Sequence, residues 1–362
     1  MNKIIYLDAA ASCLKPDSVI SAQVDFLRHK YANAGRGICA RASDVDAMLD
    51  DVRGIVANFI GAKKNNIVFT AGTTAAMNMV AKMLRLDKNS IVAVSDIDHH
   101  SARLPFVQTG ARVVLCPLDE DYNIKPDCVP YADVLVITAM SNVLGMPQDV
   151  ATIIKHAKQK NPNVITVVDA AQFVVHSEID VEKFGCDFLC FSGHKIGADT
   201  GVGILYIKNP DNYQPVFFGG GMVNKIVGDD IIYNSAPDLF EAGTLPLTQI
   251  VGLKDAVSEI KKNRPDLNLI KFMYDELIKI KKVKILSFRN SALLTFVVDG
   301  MHVLDFGALV GARGVCLRVG NMCASWIHQR MGINGSIRIS VGSYNTMAEI
   351  KTVIGYIKEI IK

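Results

Sequence analysis

The chain has 362 residues, of which 50% are hydrophobic and 21% charged, and its formal net charge is +3. This composition supplies apolar material for a sizeable core and excludes wholesale disorder. A charge so close to neutral argues against a nucleic-acid-binding protein, which normally has a strong basic excess. At roughly 150 residues per domain, we expect two domains.

The sequence is not expected to enter a membrane or to be exported. No apolar run approaches the ~18 residues that a membrane span needs, and the first residues are too short an apolar stretch for a signal peptide. The eight cysteines show no paired spacing, which is typical of reduced thiols. We therefore predict a cytoplasmic protein that binds neither nucleic acid nor a membrane.

Predicted helices and strands alternate through the first two thirds of the chain. Apolar residues from Val45 to Ile60 recur at three- and four-residue spacing, which indicates an amphipathic helix. Short apolar runs predict strands of a largely parallel sheet covered by helices on both faces. These runs are residues 66–70, 91–94, 113–116, 134–138, 164–168, 188–191 and 202–207. The alternation indicates an open α/β sheet, which binds ligands at the carboxyl ends of its strands.

The pattern changes near residue 250. The elements predicted after it are helices at 248–262 and 266–281, strands at 283–288 and 292–298, a helix at 302–312, a strand at 315–318 and a helix from 346 onward. We therefore predict a large domain over residues 1–250 and a smaller α/β domain over residues 251–362.

Two polar residues follow predicted strands of the large domain. Lys195 ends the turn Phe191-Ser192-Gly193-His194-Lys195, where it could form a Schiff base with an aldehyde such as pyridoxal phosphate. Taken alone, a surface lysine is the simpler interpretation. Asp169 ends a buried strand and could hold a pyridinium N–H, although a helix cap or a metal ligand would also fit. Gln172, three residues on, could reach the ring hydroxyl.

Two further stretches could contact a cofactor. The turn Gly72-Thr73-Thr74 opens a predicted helix, where free N–H groups and the helix dipole favour an anion such as phosphate. An ordinary threonine cap is the alternative. In Asp98-His99-His100, a histidine could stack on an aromatic ring or bind a metal. We see no companion ligand spacing, and we therefore predict no metal site.

The small domain contains two more candidates. Cys323 lies in a glycine-containing loop, residues 318–324, and an accessible loop thiol is a candidate nucleophile. A structural cysteine is the simpler interpretation of this residue alone. Arg338 lies in the strand-like run 336–340, where it could clamp a substrate carboxylate with paired hydrogen bonds or form a structural ion pair.

The joint order of these motifs resembles the fold-type I pyridoxal-phosphate enzymes of the class V aminotransferase family. Within that family, the sequence is most similar to the group II (SUF-type) cysteine desulfurases and the related selenocysteine lyases. The matching stretches are residues 6–12, 72–74, 99–100, 141–145, 168–172, 191–195, 219–222, 240–244 and 318–324. The segment between the glycine run and residues 240–244 looks like the hairpin insertion of this subgroup.

The resemblance implies a site built around pyridoxal 5'-phosphate in a large domain with a mainly parallel seven-stranded sheet. Lys195 would carry the Schiff base and move protons, and His99 would stack on the ring and could act as an acid or base. Asp169 would pair with the ring nitrogen and Gln172 with the ring oxygen. Asn142 would lie beside the cofactor. The residues implied to hold the phosphate are Thr74, Ser192 and His194, with Thr73 nearby.

The resemblance also implies a substrate and partners. Arg338, helped by Asn142, would hold the carboxylate of L-cysteine, and Cys323 would attack its sulfur to give L-alanine and an enzyme persulfide. That sulfur would pass to a sulfur-acceptor protein, for iron–sulfur clusters or other thio-compounds. Thr244 would reach the phosphate in a neighbouring subunit, which implies a homodimer.

Other reactions on the same frame remain as alternatives. They include a selenocysteine lyase, a β-lyase, an aminotransferase and an epimerase, and the last two have no need of a loop thiol. A catalytically silent sulfur-relay scaffold is disfavoured by Lys195, Asp169 and Arg338. The subgroup's usual histidine pair before the loop cysteine is replaced by Asn321 and Met322. This departure leaves the sulfur acceptor and the preference for sulfur over selenium open.

One histidine near the loop needs a separate interpretation. His328, five residues after Cys323, is close enough in sequence to substitute for the missing pair, but we expect it on the surface.

Overall fold

A computed structural model describes residues 4–35 and 37–362 of the chain. Its strands are β1 (Ile5–Tyr6), β2 (Ile67–Thr70), β3 (Ile91–Val94), β4 (Arg112–Leu115), β5 (Val134–Thr138), β6 (Ile165–Asp169), β7 (Phe188–Ser192), β8 (Gly203–Ile207), β9 (Val223–Val227), β10 (Asp230–Tyr233), β11 (Val283–Ile285), β12 (Leu294–Val298), β13 (Val315–Cys316), β14 (Arg318–Gly320) and β15 (Ser336–Ile339).

Helices precede, connect and follow these strands. They are α1 (Asp17–Asp25), α2 (Ala40–Ile60), α3 (Thr73–Met83), α4 (His100–Val107), α5 (Val150–Lys160), α6 (Phe173–His176), α7 (Val181–Phe184), α8 (Leu247–Lys262), α9 (Leu267–Leu277), α10 (Val303–Gly311), α11 (Ser325–Arg330) and α12 (Met347–Ile361). Among the described residues, no helix is both long and apolar enough to span a membrane.

A seven-stranded sheet forms the centre of the molecule, in the order β2-β8-β7-β6-β5-β3-β4. The strands from β7 to β4 run parallel, and β8 runs antiparallel to both of its neighbours. Every residue of β5, β7 and β8 is buried, because helices cover both faces of the sheet. The predicted α/β class with a mainly parallel seven-stranded sheet is confirmed.

The two faces of this sheet have separate apolar cores. Val56 and Ile60 of α2 pack in the core on one face, whereas Met77 and Val80 of α3 and Phe106 of α4 pack in the core on the other. The helices α3 and α4 begin just beyond the carboxyl ends of strands. Their first residues therefore lie at the sheet edge where polar residues of the site gather.

A smaller antiparallel sheet, in the order β11-β12-β15-β14, has its own core. The predicted strand at 315–318 is wrong as a single element. Its first part, β13, pairs in parallel with β1 at the beginning of the chain, and β14 pairs with β15. The two halves have different partners, so the chain breaks its pairing at Leu317.

The domain division at residue 250 stays a prediction. Residue 250 lies inside α8, and Ile250, Leu253 and Val257 of this helix pack in a core of the large sheet. Conversely, Ile5 and Leu7 pack in the core of the small sheet. The beginning of the chain thus packs with the small sheet, although the residues that follow it build the large one.

Candidate active site

A cavity of about 330 Å³ lies at the carboxyl ends of the central strands. Its walls include eleven of the twelve predicted site residues, which are Thr73, Thr74, His99, Asn142, Asp169, Gln172, Ser192, His194, Lys195, Cys323 and Arg338. Thr244 is exposed and does not line this cavity. The fold therefore brings these residues, which come from both sheets, together around one cavity.

Lys195 presents its amine to the cavity from the turn after β7. Its Nζ donates to the carbonyl oxygens of Ala10 at 2.5 Å and Ala11 at 3.0 Å. Burial, followed by the positive charge of Arg338, lowers the pKa of this amine to about 7. Near neutral pH, a substantial fraction of the amine is therefore uncharged and nucleophilic.

Asp169 is the last residue of β6 and is almost completely buried. Burial raises the pKa of its carboxyl group to about 6, while a hydrogen bond from the backbone N–H of Ala171 at 2.9 Å opposes this rise. The side-chain amide of Gln172 donates to the Ala10 carbonyl at 2.7 Å. The Gln172 Oε1 atom is buried and has no hydrogen-bond partner among the described residues.

Two histidines of the cavity are kept neutral. Burial, followed by the charge of Lys195, lowers the pKa of both His99 and His194 to about 4. The Nδ1 atom of His99 accepts the backbone N–H of Ser101 at 3.1 Å, which caps the beginning of α4. This hydrogen bond fixes the ring beside the cavity and defines which ring nitrogen lacks a proton.

Hydroxyl groups and a helix N-terminus gather at one end of the cavity. The backbone N–H of Thr73, the first residue of α3, donates to Ser192 Oγ at 2.8 Å. Thr74 Oγ1 and Ser101 Oγ lie 2.6 Å apart. The preceding Gly72 has φ 136°, and a side chain there would meet Ser192 Oγ at 3.2 Å. This arrangement suits an anion such as a phosphate group.

Two arginines share one buried carboxylate in the wall of the cavity. Arg338 donates to Asp8 Oδ1 at 3.1 Å, and Arg318 donates to Asp8 Oδ2 at 2.6 Å. Arg338 also donates to the Asn142 carbonyl at 2.9 Å, and its side chain is only 3% exposed. The two guanidinium groups carry two positive charges and the Asp8 carboxylate carries one negative charge. The net charge of the three side chains is therefore positive, so the wall can attract a substrate carboxylate.

Cys323 lies on the loop between β14 and α11, with its side chain exposed at the cavity. The carbonyl of Met322 accepts the Asn142 side-chain amide at 2.8 Å, and the carbonyl of Cys323 accepts the His100 N–H at 2.7 Å. Met322 and Cys323 have φ of 53° and 54°. This left-handed conformation costs about 1–2 kcal/mol per residue outside glycine, so these contacts must hold the loop in place.

One expectation near this loop is wrong. His328 is buried rather than on the surface, because its ring lies between the Ala324 carbonyl and Ser336 Oγ, each at 2.9 Å. It stabilises the beginning of α11 from a buried position and does not line the cavity. The helical spacing from Ala324 to His328 was the signal for this local hydrogen bond.

The structure adds residues that motif reasoning did not assign to the site. Asp8 and the carbonyls of Ala10 and Ala11 bind the charged groups of the site, although they lie at the opposite end of the chain from Arg338. Two signals in the sequence point to Asp8: it interrupts an apolar stretch, and it lies in residues 6–12, one of the stretches that match the family.

Comparison with known proteins places this site in a family. The family model described as aminotransferase class-V matches residues 5–353. The chain belongs to the class-V aminotransferase family. Members of this family depend on pyridoxal phosphate.

The similar proteins include named cysteine desulfurases. The chain is 33% identical to the cysteine desulfurase CsdA of Escherichia coli (strain K12), over 97% of this chain and 92% of that one. It is 30% identical to a probable cysteine desulfurase of Vibrio cholerae serotype O1, over 99% of this chain and 94% of that one. These relatives confirm the predicted family and the predicted kind of enzyme.

Solved structures agree with this placement. The apo structure of cysteine desulfurase from Thermococcus onnurineus NA1 matches with a TM-score of 0.94 and 30% identity, covering 99% of this chain and 95% of that one. The crystal structure of CsdA (S-sulfonic acid) from Escherichia coli matches with a TM-score of 0.91 and 31% identity, covering 98% and 94%.

The residues present fit pyridoxal phosphate. A lysine amine, a buried carboxylate and a cluster of hydroxyl groups at a helix N-terminus surround one cavity. Within the part of the chain that the structure describes, the buried atoms Gln172 Oε1, Asn142 Oδ1 and His194 Nδ1 have no hydrogen-bond partner. A polar ligand in this cavity would satisfy such atoms, which are costly to bury alone.

Proposed function

We propose that this chain is a pyridoxal-phosphate-dependent cysteine desulfurase that converts L-cysteine to L-alanine and leaves the sulfur as a persulfide on Cys323. The observation that carries this proposal is that the Lys195 amine and the Cys323 thiol line one cavity, whose wall also contains the buried Arg338. A lysine-dependent reaction at carbon and a thiol-dependent reaction at sulfur therefore have access to the same substrate.

The cofactor would be held by residues on several elements. Lys195 would bind its aldehyde carbon, Asp169 its ring nitrogen, and Gln172 its ring oxygen, while His99 would stack on the ring. The phosphate group would be held by Thr74, Ser192 and His194, with Thr73 nearby. When bound, pyridoxal phosphate supplies an electron-withdrawing ring that stabilises negative charge at the Cα of an attached amino acid.

Arg338 and Asn142 would orient the substrate by its carboxylate. The Arg338 Nε–H group is buried and has no hydrogen-bond partner among residues 4–35 and 37–362, so it can donate to that carboxylate. Asn142 Nδ2 has a second N–H besides the one that it donates to Met322, and this N–H can do the same. The lowered pKa of Lys195 allows its Nζ to take the α-proton as a base and return it as an acid near neutral pH. Neutral His99 adds a second group that can move a proton.

Cys323 would complete the reaction by attacking the substrate sulfur. The bond between its Sγ and that sulfur forms as the Cβ–S bond breaks, and a proton is delivered to Cβ. The products are L-alanine and the Cys323 persulfide. The two electrons that the sulfur atoms lose in forming the S–S bond are gained by the substrate Cβ. No other oxidant or reductant is needed.

Two variants test this proposal. We expect Lys195→Ala to lose both the yellow colour of the lysine-bound cofactor and all turnover. We expect Cys323→Ala to stay yellow and to bind L-cysteine, but to release no sulfide and form no persulfide. Lys183→Ala, at a lysine whose side chain is 83% exposed, is the matched control and should behave as wild type. Normal desulfuration by Cys323→Ala would refute the nucleophile assignment.

We also propose a homodimer in which Thr244 reaches the phosphate of the neighbouring subunit. Thr244 is exposed and lies outside the cavity of its own chain. The nearby hairpin β9–β10 carries exposed apolar residues, including Ile226 at 65% and Val227 at 56%. Such a hairpin is marginally stable alone, and an exposed apolar patch is typical of an interface.

Mixed dimers test this arrangement. Lys195→Ala chains and Thr244→Ala chains, carrying different tags and produced together, should form a dimer with one site that has both residues intact. We expect this mixed dimer to retain cofactor and turn over L-cysteine better than either parent variant. A monomer in solution, or mixed dimers no better than the parents, would refute the proposal.

A sulfur-acceptor protein is the final proposed partner, because the exposed Cys323 persulfide can be reached by an external thiol. The sulfur would serve iron–sulfur clusters or other thio-compounds in the cytoplasm. Transfer of labelled sulfur from the loaded enzyme to a purified acceptor, and its loss in Cys323→Ala, would test this step.

A further inference from the structure

One face of α4 contacts Trp326, the single tryptophan of the chain, which lies on α11 just after Cys323. The His100 ring stands edge-on to the Trp326 ring, with centroids 5.2 Å apart and an angle of 78°. The Arg103 guanidinium carbon lies 4.2 Å from the centroid of the same indole. His100 and Arg103 are three residues apart on a helix and therefore share one face.

Ion pairs fix the arginine of this group. The Arg103 side chain is only 13% exposed, and its guanidinium lies 3.6 Å from Asp96 Oδ1. Arg330, at the end of α11, reaches Asp96 Oδ2 at 3.2 Å. Asp96 therefore bridges α4 and α11 through its two ion pairs, in addition to the contacts that His100 and Arg103 make with Trp326. A cation that is shielded from water interacts more strongly with the face of an indole ring. Because the Arg103 side chain is mostly buried, its contact with Trp326 should be stronger than the same contact at an exposed position.

His100 also contacts the backbone on both sides of Ala324. Its own N–H donates to the Cys323 carbonyl at 2.7 Å. Its ring Nε2 accepts the Ser325 N–H at 3.4 Å and lies 3.1 Å from Ser325 Oγ. No side chain at the cap position, Ala324, accepts the first N–H groups of α11. His100 therefore supplies an acceptor that this helix start needs.

We propose that His100, Arg103 and Trp326 form a latch that positions Cys323 at the cavity. Met322 and Cys323 have left-handed backbones, which persist only where the surroundings determine them. Without the latch, α11 would loosen and the loop would relax toward more favourable conformations. The inference rests on the proposed function, because it assigns Cys323 the attack on sulfur.

The latch residues are positioning residues, since the substrate and cofactor contacts belong to other side chains. The helix that carries the latch starts directly after His99, which lines the cavity. Movement of α4 would therefore displace a cavity residue and the thiol loop together, whereas loss of the latch alone should affect the loop. Cofactor binding and substrate affinity should stay close to wild type when only the latch is removed.

Four variants test the latch in the cofactor-loaded enzyme. Trp326→Ala and Arg103→Ala remove its parts, and Trp326→Phe keeps an aromatic face. Gln329→Ala is the control, because it removes an exposed side chain of α11 that is not part of the latch or of the Asp96 ion pairs. Single-turnover formation of the Cys323 persulfide and KM for L-cysteine are measured in each. Hydrogen–deuterium exchange of the amides of residues 320–327 reports on the loop itself.

We expect persulfide formation to slow about tenfold in Trp326→Ala and Arg103→Ala, with KM unchanged. Amide exchange in residues 320–327 should rise severalfold in the same two variants only. Trp326→Phe should largely restore both values, and Gln329→Ala should resemble wild type. Wild-type rates and exchange in Trp326→Ala and Arg103→Ala would overturn the latch, as would an equal loss in Gln329→Ala.

The two proposals fail in different ways. If wild-type enzyme forms no persulfide from L-cysteine, the proposed function is wrong, and amide exchange still decides whether the latch holds the loop. If Trp326→Ala does not fold, Arg103→Ala decides, because the emission of the remaining Trp326 then reports directly on the indole. Unchanged emission and exchange in Arg103→Ala would overturn the latch.

Discussion

The side-chain amide of Asn142 donates a hydrogen bond at 2.8 Å to the carbonyl of Met322, the residue before Cys323. The backbone carbonyl of the same Asn142 accepts a hydrogen bond from Arg338 at 2.9 Å. One residue thus contacts both the nucleophile loop and the arginine proposed for the substrate carboxylate. Substrate binding and thiol placement are therefore expected to respond together to changes at Asn142.

Substitution of Asn142 tests this connection. Asn142→Ala removes the donor to Met322, and we expect kcat for desulfuration to fall roughly tenfold, which corresponds to one lost buried hydrogen bond. Asn142→Asp keeps the size but introduces a negative charge, so KM for L-cysteine should rise further than in the alanine variant. Steady-state kinetics check both values. A KM for Asn142→Asp equal to that of Asn142→Ala would contradict the assignment to the carboxylate.

The lowered pKa of Lys195 predicts how the apo-protein takes up its cofactor. Only the neutral amine attacks the aldehyde, so the rate of loading should rise with pH and level off above about pH 7. Stopped-flow measurement of the visible absorbance after adding pyridoxal phosphate gives the midpoint. A midpoint near the ordinary value for lysine would contradict the effect of burial.

Removal of one charge should move that midpoint in a known direction. Arg338 lowers the pKa of Lys195, so Arg338→Gln should raise the pKa and shift the loading midpoint to higher pH. Arg289→Gln, at an exposed arginine paired with Asp275, is the control and should leave the midpoint unchanged. Equal midpoints in the two variants would argue against the contribution of Arg338.

A buried ion pair next to the Thr244 loop should dominate the stability of that region. Arg53 and Glu241 form two hydrogen bonds of 2.7 and 2.8 Å, with side chains only 8% and 2% exposed. Glu241→Gln leaves the arginine charge unpaired, so we expect the free energy of unfolding in urea to fall by about 3–5 kcal/mol. Replacing both residues by methionine should cost less than the single change.

An exposed ion pair provides the comparison. Lys254 and Asp51 lie 2.8 Å apart with side chains 53% and 54% exposed. Lys254→Ala should lower the free energy of unfolding by less than about 1 kcal/mol, because water already solvates both charges. A similar loss in Glu241→Gln would show that burial does not determine the cost.

Local patterns predicted most of the large sheet. The continuous apolar run of β5 and the polar residue at the end of β6 are visible in the sequence, because a strand buried on both faces has no room for alternation. The candidate site followed for the same reason, since Asp169 and Lys195 stand where parallel strands end. The relatives confirm the family that these residues suggested.

Contacts between distant parts of the chain could not be predicted in this way. The two-residue strand β1 is too short to have a pattern, and its partner β13, with which it forms a separate two-stranded sheet, lies far along the chain. Asp8 is also far along the chain from its two arginine partners, so its ion pairs could not be predicted from local sequence. For the same reason, local sequence did not show that the two halves of the predicted strand at 315–318 pair with different strands. Polarity alone predicts His328 on the surface, because it does not reveal the hydrogen-bond partners, Ala324 and Ser336, that the fold brings to its ring.

Asp8 has a further consequence for the order in which the site is assembled. The ribosome makes residue 8 long before residues 318 and 338, so the carboxylate waits for its two guanidinium partners until synthesis is almost finished. A nascent chain that already contains the whole central sheet still lacks the counter-charges at this corner. The ability to bind the substrate carboxylate should therefore appear late in translation, after the small sheet has closed on the first residues.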